Sequence, residues 1–122
     1  MITIHYALHR RSGMSLDDFS AYWRGPHATL VKSLAPQLGI VRYVQNHAAI
    51  PELAASMQEM RGTAAPFDGV AAISFASAED LARANVDPAA ADAQRLLADD
   101  EANFIDIARS SILFTTEHKV IA

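Results

Sequence analysis

Ile2, Ile4, Tyr6 and Leu8 alternate with Thr3, His5, Ala7 and His9, and a period of two predicts a strand with one apolar face. Ser12-Gly13 marks a turn. Ser15 is placed to cap a helix whose first turn carries Asp17 and Asp18, where negative charge is favourable. Leu16, Phe19, Tyr22 and Trp23 recur at helical spacing. Gly25-Pro26 should interrupt that helix, because proline disfavours α geometry at the preceding residue and lacks a backbone donor. Ala28, Leu30, Val31 and Leu34 resume the pattern, so a kinked helix, or two segments sharing a corner at His27, is expected. Pro36 and Gly39 should end it. Residues 40–48 read as a second strand, 51–60 as a short exposed helix, and Val70 onward as a third strand after a Phe67-Asp68-Gly69 turn. Ser77 caps a further helix, Pro88 opens another, and residues 112–121, rich in β-branched and aromatic side chains, read as a fourth strand.

The resulting order, β-α-β-β-α-β, predicts an α+β fold of the ferredoxin-like, split βαβ kind, with a four-stranded antiparallel sheet. Both crossovers cover one face. The other must be solvated or buried against a second copy. Large residues on both faces of the strands favour a homodimer that closes two sheets into a dimeric α/β barrel. There is no internal repeat or linker, so one domain is expected over residues 1–122.

Composition narrows the chemistry. The 122 residues contain no cysteine, which excludes disulfides, thiolate metal sites and cysteine nucleophiles. The formal net charge of −4 makes a nucleic-acid partner a poor fit. No apolar run approaches ~18 residues, so no membrane span is expected, and the N-terminus lacks the order of a signal peptide. A cytoplasmic protein is the expectation. Four of the five histidines lie within the first 47 residues, and histidine is the main group for proton chemistry near neutral pH. His5 and His9 share a strand face but lie ~13 Å apart along it, too far for one zinc ion. No metal site is expected, and no glycine loop of the kind that holds a nucleotide cofactor is present.

Tyr43, Gln45 and His47 fall on one face of the second strand. Burying them unpaired would cost ~1–3 kcal/mol each, so that face should line a wet cavity or a polar seam between protomers. His27 sits where the helix is disturbed and could be held in one orientation there. Asp68 reads by default as a turn residue. The acidic run Asp99-Asp100-Glu101 reads as a helix N-terminus.

Several motifs in series resemble the EthD family of dimeric α/β-barrel proteins. They are Phe19-x-x-Tyr22-Trp23-x-x-x-His27-Ala28-x-Leu30-Val31, Tyr43-Val44-Gln45-Asn46-His47, Phe67-Asp68-Gly69-Val70-Ala71, Asp100-Glu101-x-x-Phe104-x-Asp106 and Thr116-Glu117-His118. The resemblance implies a ferredoxin-like protomer that pairs its sheet with a second copy, and a pocket between the sheet and the helix carrying His27. Family members are associated with degradation of ethers and aromatic compounds and with polyketide tailoring. A methylmuconolactone isomerase is similar in the first helix and second strand, and its active-site positions match His27 and Tyr43. The chain departs from the family in its third strand, where the usual glutamate and tryptophan are replaced by Ala72 and Ser74. A larger and less acidic pocket is the expected result.

Two functions follow as expectations. The first is a cofactor-free enzyme that moves protons on a small aromatic, lactone or polyketide-like molecule, as an isomerase, dehydratase or decarboxylase. In it His27 and His47 transfer protons and Tyr43 polarises a carbonyl or phenol. Gln45 and Asp68 orient the substrate or a histidine, and Trp23 and Phe75 line the substrate site. The second is a small-molecule-binding accessory protein that serves an oxygenase in ether or aromatic degradation.

Overall fold

The computed structural model describes all residues, 1–122. A four-stranded antiparallel sheet of order β2-β3-β1-β4 is built from β1 (Ile2–Leu8), β2 (Ile40–His47), β3 (Gly69–Phe75) and β4 (Ser111–Thr115). Helices α1 (Leu16–Tyr22), α2 (Ala28–Leu38), α4 (Ala78–Val86) and α5 (Pro88–Glu101) form the crossovers, and α3 (Pro51–Arg61) lies between β2 and β3 with no buried residue. This is the expected ferredoxin-like α+β arrangement. No helix is long and apolar enough to cross a membrane.

The caps read from sequence are in place. The Ser15 hydroxyl accepts from the Asp18 N–H at 3.0 Å, and the Ser77 hydroxyl from the Asp80 N–H at 3.1 Å. At Gly25-Pro26 the helical path is not broken into two separate segments. Trp23–His27 forms a π-helical turn that joins α1 to α2, because a wider turn tolerates the missing donor of Pro26 and keeps both flanking helices on the core. Pro36 does not end α2. The helix runs to Leu38 and is closed by Gly39 at φ 74°, a left-handed conformation suited to glycine.

Two clusters bury the apolar positions. Leu8, Phe19, Trp23, Ala71, Phe104 and Ile105 fill the space between the sheet and α1. Leu34, Leu38, Ala84, Ala90 and Ala93 join α2, α4 and α5, where alanine lets the helices approach closely. β4 is shorter than the sequence suggests. Pairing with β1 stops at Thr115, and residues 116–122 find no partner strand despite their β-branched content.

The register sorts the strand residues. Tyr6, Tyr43, Gln45, Ala71, Ile73 and Phe75 face the helices, and Thr3, His5, Val44, Val70, Ala72, Ser74 and Leu113 face away. Ala72 and Ser74 therefore stand on the sheet face opposite the helices, and their small size does not enlarge or neutralise a cavity beside His27.

Candidate active site

A cavity of about 50 Å³ lies between the sheet and the π turn, α2 and α5. Its polar lining is Tyr6 from β1, His27 from the π turn, Tyr43 from β2 and Glu101 from the end of α5; Trp23, Val31 and Ile73 supply apolar wall. It shares Ile40, Ile73 and Leu97 with an apolar groove of about 290 Å³ that runs past Phe75.

His27 is 5% exposed. Its Nδ1 lies 2.7 Å from Asp100 Oδ2. Asp100 is held below the usual carboxylate range: burial opposes its charge, but hydrogen bonds from Tyr22, His27 and Asn103 outweigh that. Tyr22 donates to Oδ1 at 2.6 Å and Asn103 at 3.3 Å. An ionised Asp100 can only accept, so the His27 proton sits on Nδ1. The ring Nε2 has no partner in the protein and is not sealed from solvent. Burial lowers the His27 pKa, against the pull of Asp100. The ring is thus a neutral base with its lone pair free.

Tyr43 is prepared in the opposite sense. Its hydroxyl oxygen accepts from Trp23 Nε1 at 3.1 Å and from Gln45 Nε2 at 3.3 Å. Both contacts use the oxygen as acceptor, which leaves the phenolic proton for a ligand. Burial raises the Tyr43 pKa, so the proton stays on.

Glu101 and Tyr6 were not foreseen as site residues. Burial raises the Glu101 pKa, with the charge of Asp100 adding to it. Burial first, and then Glu101, raises that of Tyr6. Asp99-Asp100-Glu101 ends α5 rather than opening a helix, which corrects the sequence reading of that run. Acids at a helix C-terminus oppose the macrodipole, and that conflict is the signal that could have marked them.

The other expected site residues are distributed as follows. His47 does not enter the cavity. Its Nδ1 accepts from the Ser20 hydroxyl at 2.9 Å, its Nε2–H donates to Gln45 Oε1 at 2.8 Å, and its ring lies 4.4 Å from the Trp23 ring. Both nitrogens are occupied, so the structure does not pair His47 with His27. Gln45 is also spoken for: its amide nitrogen donates to the Trp23 carbonyl at 2.8 Å as well as to Tyr43. Asp68 lies outside the cavity and accepts from the Arg10 backbone at 2.7 Å and guanidinium at 2.9 Å. Phe75 reaches only the adjoining apolar groove. No group of three or more His, Asp or Glu side chains is placed to hold a metal ion.

The EthD domain family model matches residues 11–108. No curated protein matches the chain. Among solved structures, an EthD family protein from Bacillus halodurans is similar with TM-score 0.62 and 13% identity, covering 97% of this chain and 100% of its own. A dimeric protein of unknown function and ferredoxin-like fold from Bacteroides fragilis has TM-score 0.56 and 9% identity, with 93% of each chain covered. A dimeric ferredoxin-like protein from Jannaschia has TM-score 0.53 and 13% identity, covering 96% of this chain and 100% of its own. At these identities the likeness establishes the fold.

Proposed function

Because the chain belongs to the EthD family, and because a free histidine lone pair and a free phenol proton line one cavity, we propose that it is a cofactor-free enzyme of proton-transfer chemistry. Its substrate is a small aromatic, lactone or polyketide-like molecule with an enolisable carbonyl. The observation that carries this is the geometry of His27: Nδ1 lies 2.7 Å from Asp100 Oδ2, and Nε2 has no partner in the protein.

His27 Nε2 removes a proton from a carbon next to the carbonyl. The electron pair of that C–H bond moves into a carbon–carbon double bond, and the carbonyl oxygen becomes an oxyanion. The Tyr43 O–H donates to that oxygen, while Trp23 and Gln45 hold the phenol in line. The ionised Asp100 stabilises the imidazolium that forms. A proton returns to a second carbon, from His27 or from Glu101, whose raised pKa suits it to give one. One C–H bond is broken and one is made, so no oxidant or reductant is consumed.

The working unit is a homodimer. Both related proteins described as dimeric share this fold, and here the sheet face away from the helices carries Val44, Val70 and an exposed Leu113. A second copy stacked on that face would complete the α/β barrel.

The test is exchange of carbon-bound hydrogen in deuterated water, followed by NMR over a panel of small lactones and aryl ketones. The wild type should exchange at least one of them, and His27→Ala should slow this by ~100-fold or more at unchanged assembly mass. An unchanged rate in the variant removes the enzyme reading and favours an accessory, ligand-carrying protein.

A further inference from the structure

Beside the His27 cavity, and sharing Val31, Ile40 and Tyr43 with it, runs a groove of about 430 Å³. Arg24 of the π turn, Lys32 of α2 and Arg42 of β2 line it, and no acidic side chain does. We infer that this groove holds the carboxylate of an organic acid whose body enters the His27 cavity, so that the substrate class is anionic.

Three observations carry this. First, the chain has ten cations against fourteen anions, yet three cations gather in one concave place free of acids. Second, none of the three is in an ion pair, whereas Arg10, Arg83, Arg95 and Arg109 each meet an aspartate. Another groove carries Arg10, Arg11 and Arg109, but two of those are already matched by Asp68 and Asp106. Third, the groove opens beside the His27 cavity, with Val31, Ile40 and Tyr43 as common wall. A cleft lined by one sign of charge concentrates counter-ions. Aliphatic walls from Val31, Ile40 and Val41 suit an acid with a carbon body. The arrangement gives the substrate two anchors, with the carboxylate at the guanidinium and ammonium groups and the reacting carbonyl between His27 and Tyr43.

The inference rests on the cavity being the substrate site, and the experiment separates the two. The probes are 4-hydroxybenzoate and 4-hydroxybenzamide, which differ in charge and little in shape. Binding is followed on nitrogen-15 protein through the Trp23 indole and the groove amides, in the wild type and in a Lys32→Gln/Arg42→Gln double variant. The acid should bind roughly tenfold more tightly than the amide and shift both groups of resonances. Its preference should weaken from about 0.05 M to about 0.5 M salt. In the double variant the preference should vanish at unchanged thermal stability. Equal binding of acid and amide in the wild type, or an acid preference that survives in the double variant, overturns the anion groove and leaves the cavity reading standing. If neither compound moves the Trp23 indole, both readings fall.

Discussion

His27 and Asp100 meet at 2.7 Å across seventy-three residues of chain. The contact decides which imidazole nitrogen faces the cavity. Asp100→Asn keeps the shape of the side chain and removes the charge that selects the tautomer. Turnover should fall by about 100-fold or more, and nitrogen-15 shifts of the His27 ring should show Nδ1 no longer uniquely protonated. A rate loss with an unchanged ring tautomer would reduce Asp100 to a packing residue.

Acid should destabilise the fold through His27. Its folded pKa lies below the ordinary 6.5 because burial disfavours the imidazolium. The unfolded chain therefore binds the proton first. The stabilisation is present above 6.5 and is lost as pH falls toward the folded value. Glu101 works the other way, since its folded pKa is raised above 4.5: its contribution is present at low pH and lost as pH rises. Comparison with His27→Gln isolates the histidine. The stability difference between wild type and variant should shift against the wild type as pH drops through 6.5. A difference independent of pH would mean that His27 has the same pKa folded and unfolded.

Tyr43→Phe removes the proposed oxyanion donor, which is worth about 100-fold in turnover. It also strands the Trp23 indole N–H, whose acceptor is the Tyr43 oxygen, at a cost of ~1–3 kcal/mol. Chemical denaturation and turnover should both register the change. A variant as active as the wild type would leave the oxyanion without the assigned donor.

Gly69 lies under Trp23. A Cβ there would meet the indole at 2.5 Å (Cζ3) and 2.9 Å (Cη2). Gly69→Ala should cost ~1–3 kcal/mol and weaken Tyr43 as a donor by displacing the ring that holds it. Trp23→Phe in the same chain should recover much of the lost stability, which the urea midpoint would show.

The homodimer predicts a light-scattering mass of twice 13.2 kDa. Val44→Asp places a charge on the sheet face assigned to the partner and should return the chain to the single mass. A wild type that already scatters as one chain would dismiss the assembly.

Alternation in β1, the two serine caps and the turn at Gly69 were all readable, because each depends on neighbours along the chain. The convergence of His27 with Tyr43 was readable only through the family resemblance, since they stand 16 positions apart with the whole of α2 between them. Tyr6 was hidden because an apolar strand position accepts a tyrosine without comment. Glu101 was hidden because the end of α5 could not be fixed from an alanine-rich run. His47 was misplaced because Tyr43, Gln45 and His47 do share a strand face, yet Trp23 reaches in from the π turn and screens the last from the cavity. The fourth strand was overextended because β propensity says nothing of whether a partner strand is there.

Phe19, Trp23, His27 and Val31 are all buried, at successive steps of four. In a straight α-helix each such step drifts about 40°, so twelve residues would carry the row about 120° around the axis. The wide turn at Trp23–His27 takes up that drift, much as a vernier corrects a scale. Removing one residue between Trp23 and His27 would tighten it to ordinary pitch. With α1 held on the core, α2 would turn about its axis, and the imidazole at its start would swing away from Asp100. The phase of one helix, and not only the identity of its residues, is therefore what places His27 against Asp100 in this protein.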